Sequence, residues 1–291
     1  PRTPTRDAAP SSQIPLLAIG ATRNIGDYEV IGQIGQGASS RVYQGKHMRT
    51  GDIVAIKLLH LSSTEAKARK RFASEAAMMS TLRHPNILNL IEVGRVADTD
   101  FLVMEYAGGG DAIGLVREHG GKLTEAHATR LILQCAEALV AVHAAGVAHR
   151  DIKPSNIFLS KAGDAKLGDF GLALDRHRDA QLTADGMTVG TPAYMAPEQI
   201  RGNRDEAQLS DIYGLGATWF HLLCGRPPFD EATAYATFLA VERNPVPDPR
   251  TLDISISEDC WIALQLMMKK KHTERPQSVG EVVALLHSIP H

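Results

Sequence analysis

The chain predicts an α+β architecture in two unequal lobes, a small β-rich one followed by a larger helical one. Three observations predict it. Residues 28–106 read mostly as strands, with alternating apolar positions and a Gly-rich turn between the first two runs. Gly108-Gly109-Gly110 then punctuates the chain. Beyond it the apolar residues recur at helical spacing, in long capped segments. No internal repeat is visible.

Residues 1–27 are rich in Pro, Ser, Thr and Ala without a sustained period, and are expected to be a flexible lead-in. The smaller lobe then spans 28–104, a hinge 105–110 and the larger lobe 111–289. Residues 28–34 and 41–47 flank the Gly-rich turn, and 52–60 give a third strand. A helix is expected over 65–82, where Phe72, Ala76, Met79 and Leu82 share a face and Lys67, Arg69 and Lys70 are largely exposed. Residues 87–93 and 101–105 supply two more strands. In the larger lobe Thr124 caps a long helix running to about Ala145, and further helices are expected over 209–224, 231–241, 258–268 and 279–287.

At 291 residues the chain can bury a substantial core, and 44% hydrophobic with 22% charged residues is ordinary for a soluble globular protein. Thirty-one Lys and Arg face 33 Asp and Glu, and the formal net charge of −2 gives no field strong enough to argue for nucleic acid or an anionic membrane as partner; no nucleic acid is expected. Cys135, Cys224 and Cys260 lie far apart without metal or framework spacing, as expected of buried thiols in a reducing compartment. No signal peptide is expected and no apolar run reaches membrane-spanning length; 131–148 is interrupted by Gln134, Glu137 and His143. The domain is therefore expected to be cytoplasmic. Because the chain opens with Pro1, a fragment or processed chain is expected, whose full-length form a missing segment could anchor to a membrane.

The most informative stretch is His149-Arg150-Asp151-Ile152-Lys153-Pro154-Ser155-Asn156, followed shortly by Asp169-Phe170-Gly171. Phosphoryl transfer from ATP to a hydroxyl needs a carboxylate to orient the hydroxyl and accept its proton. It needs a cation on the moving phosphoryl group and oxygen ligands for magnesium. Asp151, Lys153, Asn156 and Asp169 can fill those roles in that order. Upstream, Gly35 and Gly37 sit in Gly35-Gln36-Gly37-Ala38-Ser39-Ser40-Arg41-Val42, where glycines let backbone amides approach phosphates. Val54-Ala55-Ile56-Lys57 sets one lysine in an apolar strand, and Glu75 lies within the expected helix.

These motifs, over about residues 28–288, resemble the protein kinase superfamily, its serine/threonine branch, and within that the eukaryotic-like kinases of bacteria. The resemblance implies a two-lobed protein kinase fold and an ATP-dependent phosphotransferase acting on protein Ser and Thr hydroxyls, with Mg²⁺ or Mn²⁺. It implies Lys57 on the α- and β-phosphates, paired with Glu75, and Asn156 and Asp169 as metal ligands. Lys153 marks the serine/threonine class. Val42, Ala55 and Phe158 would cover the adenine, Met104 would be the gatekeeper, backbone groups of Glu105 and Ala107 would meet the adenine edge, and Asp111 the ribose. Ser40 departs from the family's third glycine.

The segment 169–198 ends Gly190-Thr191-Pro192-Ala193-Tyr194-Met195-Ala196-Pro197-Glu198, which in the family docks the residue after the phosphoacceptor. Its Glu198 is expected to pair with Arg275, and Asp211 to anchor the catalytic-loop backbone. Arg150 and Arg71 would gather a phosphate on Thr183 or Thr188, so autophosphorylation is expected; the residue four before Thr191, the family's commonest site, is Met187. Partners are expected to be protein substrates, and a homodimer for phosphorylation in trans is compatible with the resemblance. A catalytically weak kinase-like scaffold and a small-molecule phosphotransferase are the alternatives.

Overall fold

The computed structural model describes residues 24–37, 40–59, 76–77, 79–96, 99–170, 192–203, 205–252 and 254–290. Residues 1–23 of the expected lead-in and the greater part of the expected helix over 65–82 lie outside them. Residues 24–27, expected to be part of the flexible lead-in, instead form a first strand and its turn, with Ile25 buried. The first half is one antiparallel sheet of strands β1 (Asn24–Ile25), β2 (Tyr28–Gln36), β3 (Ser40–His47), β4 (Ile53–Leu59), β5 (Leu90–Val96) and β6 (Thr99–Glu105), in spatial order β1-β2-β3-β4-β6-β5.

The period of two along β4 decides what the sheet faces. Val54, Ile56 and Leu58 point with Phe101 and Val103 of β6 into a small cluster closed by Ile25, Tyr28 and Tyr43. Ala55 and Leu59 point the other way, with Leu102 and Met104, into the main core shared with the helices. Lys57 lies between Ala55 and Leu59, so alternation puts it on that inner face, paired in register with Val42 and Leu102.

The second half is built on α1 (Ala112–Glu118), α2 (Glu125–Ala144), α3 (Pro197–Ile200), α4 (Ala207–Cys224), α5 (Ala234–Arg243), α6 (Glu258–Met267) and α7 (Val279–His287), with a hairpin of β7 (Ile157–Leu159) and β8 (Ala165–Leu167). Thr124 caps α2 as expected, its hydroxyl accepting the His127 N–H. Helix α4 is buried on nearly every side, from Ser210 to Leu223, as a helix apolar all round must be. It ends at Gly225, whose φ of +73° and approach to Gly121 would put a Cβ 1.9 Å from the Gly121 carbonyl oxygen. Cys135 and Cys260 are buried and Cys224 half-buried, all free thiols.

Several expectations shift. The strand expected from 87 begins at Leu90, because Leu88 N–H donates to the Leu167 carbonyl and Leu167 N–H to that of Asn86, which ties 86–88 to β8. The helix expected from 231 starts at Ala234, since Thr233 accepts the Ala236 N–H and caps it there. Helix α1, the β7–β8 hairpin and β1 were not expected. The triple glycine is held against β7: Gly109 N–H donates to the Leu159 carbonyl and Leu159 N–H to that of Gly110, both at 2.9 Å. A Cβ on Gly109 would lie 2.3 Å from the Ser160 carbonyl oxygen, so only glycine fits there.

Candidate active site

Helix α4 supplies the anchor. Asp211, buried near its start, accepts the backbone N–H groups of His149 and Arg150, each at 2.7 Å, and the His143 Nε2–H at 2.8 Å. Two adjacent amides captured by one carboxylate fix the chain entering the loop 149–156. Arg150 there adopts φ of +68°, a region that L-residues avoid and that persists only where surroundings over-determine it. The expectation that Asp211 anchors this backbone matches the geometry. By sequence alone His143 is only a polar interruption in an apolar run; a histidine on the buried face of a core helix is the signal for a fixed acceptor.

His149 is wholly buried and joins the loop to the strand-flanking segment. Asp151 N–H donates to its Nδ1 at 3.2 Å, so Nε2 carries the proton and donates to the Gly168 carbonyl at 2.9 Å. Burial holds its pKa below the ordinary imidazole value, against the opposing pull of Asp211, Asp151, the Gly168 carbonyl and Asp169. The Phe170 ring packs on it at 4.5 Å between centroids.

Within the loop, Lys153 Nζ stands 3.1 Å from Asp151 Oδ2. Asn156 Nδ2 donates to the Asp151 carbonyl at 2.7 Å and to its Oδ2 at 3.1 Å. A short turn over Pro154–Asn156 brings that amide back, and Gly168 N–H donates to the Asn156 carbonyl at 3.0 Å. Asp169 follows directly with φ of +55°, the other non-glycine residue of positive φ among those described. Its Oδ1 accepts from Lys57 Nζ at 2.7 Å in a partly exposed pair. Glu75, the expected partner of Lys57, lies outside the described residues, as do Arg71, Thr183 and Thr188.

Of the residues expected around a nucleotide, Ala55, Lys57 and Met104 lie on the inner face of the sheet. Gly35 pairs with Val42 at the end of the β2–β3 hairpin, and Gly37 N–H closes it onto the Ser40 carbonyl at 2.8 Å. Ala55 pairs with Met104, and Val42, Ala107 and Phe158 are half-buried against the main core. Met104 shares a cavity behind it with Lys57, Leu59, Met79, Leu90 and Phe170. Two expected contacts carry additional duties. Glu105 N–H is committed to the Asn89 carbonyl, and its carboxylate to Lys166 at 2.8 Å and Asn89 at 3.1 Å. Asp111 Oδ1 caps α1 through the Gly114 N–H at 2.7 Å.

Farther from the loop, Glu198 meets Arg275 at 2.6 and 2.8 Å, and Ser210 donates to Glu198 at 2.7 Å. This is the expected pair. Tyr194, in the segment before it, is hydrogen-bonded to His221 Nδ1 at 2.6 Å, a contact invisible in the sequence because 27 residues separate the partners.

The protein kinase domain family matches residues 28–285. The chain is 34% identical over 268 residues to the DNA damage-responsive serine/threonine-protein kinase RqkA of Deinococcus radiodurans, covering 91% of this chain and 39% of that one. It is 32% identical over 274 residues to the serine/threonine-protein kinase Pkn1 of Myxococcus xanthus, covering 92% and 38%. Against the serine/threonine-protein kinase ATG1a of Arabidopsis thaliana the identity is 34% over 262 residues, covering 88% and 41%. The chain thus spans about two-fifths of the length of these relatives.

Proposed function

The chain belongs to the protein kinase domain family, and on that premise we propose that it transfers the γ-phosphoryl group of ATP to serine and threonine hydroxyls of protein substrates. The observation that carries this reading is the Asp151 carboxylate, held between Lys153 and Asn156 in a loop clamped to α4. A carboxylate fixed by two neighbours presents its acceptor lone pairs in one direction, as a group that orients a hydroxyl and takes its proton must. Lys153 is a compact point charge beside it, suited to charge developing on the transferred group. Catalysis is then mainly positioning and electrostatics.

Lys57 is assigned to the α- and β-phosphates, with Glu75 as its partner in the active arrangement. Gly35 and Gly37 supply backbone amides over the phosphates. Val42, Ala55 and Phe158 enclose the adenine, with Met104 behind it, backbone groups of Glu105 and Ala107 at its edge and Asp111 at the ribose. The smaller lobe is 28–104, the hinge 105–110 and the larger lobe 111–289.

The donor set suits a hard divalent cation. Asn156 commits its Nδ2 to Asp151, which leaves Oδ1 as the metal-type donor, and Asp169 adds carboxylate oxygen. Among the described residues no group of three or more His, Cys, Asp or Glu could hold a metal. Two oxygen-bearing side chains that share the ion with phosphates are what Mg²⁺ or Mn²⁺ accepts. When bound, such an ion neutralises phosphate charge.

Regulation belongs to the same proposal: Arg150 and Arg71 would read a phosphate placed by autophosphorylation on Thr183 or Thr188, in trans within a homodimer. Among the described residues no helix is long and apolar enough to cross a membrane.

The test uses γ-labelled ATP with a mixed protein acceptor, a small alcohol and an aminoglycoside, each with Mg²⁺ and with excess EDTA. Label is expected on protein Ser and Thr alone, and to vanish in EDTA. Label on the aminoglycoside or alcohol would make the chain a small-molecule phosphotransferase, and no label at all a scaffold.

A further inference from the structure

Helix α3 carries one side chain that the site so far leaves unused. The Gln199 amide has two ends with separate tasks. Its Oε1 accepts the Ala196 N–H at 2.9 Å, closing the helix start. Its Nε2 donates to the Arg150 carbonyl at 3.1 Å, 49 residues away.

That carbonyl is a consequential acceptor. It belongs to the peptide plane whose N–H is that of Asp151, and this N–H donates to His149 Nδ1. The Arg150 N–H, on the other side of the same left-handed residue, is held by Asp211 from α4. Arg150, the residue leading into Asp151, is therefore gripped from two helices, by α4 on its N–H and by α3 on its carbonyl, and of the two α3 alone holds the peptide plane it shares with Asp151. Gln199 is itself well placed to grip, because its neighbour Glu198 is locked to Arg275 and Ser210.

We propose that Gln199 is a positioning residue for the catalytic loop: it holds the Arg150–Asp151 peptide plane, and with it the orientation of Asp151, and it ties that orientation to the seating of the 192–200 segment. The role of Asp151 rests on the reading given under Proposed function. Gln199 touches no reacting group.

The two ends of the amide can be separated. Gln199→Glu keeps an acceptor for Ala196 N–H but loses the donor and sets oxygen against the Arg150 carbonyl. Gln199→Met keeps the volume and loses both contacts. Loss of one such hydrogen bond is expected to lower kcat about 5- to 10-fold in the Glu variant, with the KM for ATP and the thermal midpoint near wild type. Hydrogen–deuterium exchange over residues 149–156 is expected to quicken in both variants, while peptides of α4 exchange as in wild type. A purely structural residue would lower the midpoint in Gln199→Met and leave kcat and loop exchange alone. Wild-type exchange over 149–156 in both variants, or wild-type kcat in Gln199→Glu, overturns the proposal. Absence of transfer by the wild-type protein instead overturns the reading of function, and the exchange comparison still decides whether Gln199 holds the loop.

Discussion

Arg275 and Glu198, 77 residues apart in the chain, form a two-point ion pair at 2.6 and 2.8 Å with side-chain exposures of 0% and 5%. The guanidinium also donates to the carbonyls of Lys269 and Leu209 and lies over the Tyr213 ring, so its donors are spread over α4 and the turn after α6. The pair fastens the end of the 192–198 segment to the core of the larger lobe. Each ion is costly to bury alone, and their geometry offsets that cost only while both are present.

Breaking it from either side is therefore expected to destabilise strongly. Arg275→Met and Glu198→Gln each should lower the unfolding free energy by roughly 3–5 kcal/mol, read by denaturant titration. The pair also predicts acid behaviour. Burial resists ionisation of Glu198, but hydrogen bonding and charge from Arg275, with Ser210, outweigh it and hold the carboxyl below its ordinary value of 4.5. A carboxyl depressed in the folded state lends stability that is present above that ordinary value and is lost as pH falls through the folded one. Wild-type stability should thus fall more steeply below about pH 4.5 than that of Glu198→Gln. Parallel curves would show that the pair does not titrate in this way.

Much of this arrangement was legible in the chain, and what was missed has physical reasons. Thr124 and the bounds of α7 could be read because caps and apolar period are local signals. Asp211 and the Glu198–Arg275 pair were readable only through resemblance, since nothing local in Arg275 points to a partner far upstream. The β7–β8 hairpin escaped because three-residue strands show no period, and α1 because Gly114 interrupts a seven-residue helix. Asp111 was expected only at a ribose, although an aspartate before an apolar run also reads as a helix cap. Gln199 and Tyr194 act across long separations, which composition and spacing do not report.

Lys57 was expected against Glu75, and among the described residues it meets Asp169 at 2.7 Å. A partly exposed pair contributes ~0–1 kcal/mol, so its loss should barely change stability. As a cation on the nucleotide its loss should be severe. Lys57→Met is expected to fold normally, with a thermal midpoint close to wild type, and to lose on the order of 10²–10³ in kcat, the cost typical of removing one preorganised electrostatic group. Near wild-type transfer by this variant would remove Lys57 from the site.

Thr183 and Thr188 fall outside the described residues, and the expectation about them comes from the chain alone. A phosphothreonine supplies nearly two negative charges, enough to gather Arg150 and Arg71 and order the segment. Phosphatase-treated wild type and Thr183→Ala/Thr188→Ala should both turn over several-fold more slowly than untreated protein, with Thr183 carrying the larger share. Equal rates for all three would leave Arg150 a purely structural residue.

In the function proposed above, Asp151, oriented by Lys153 and Asn156, takes the proton of a protein hydroxyl. The most direct measurement is the initial rate of phosphate transfer from ATP to protein Ser and Thr by wild type and by Asp151→Asn, at saturating ATP and matched folded fraction. A rate lower by ~10²–10⁴-fold is expected in the variant, the usual worth of a general base. Transfer by Asp151→Asn at the wild-type rate would contradict it.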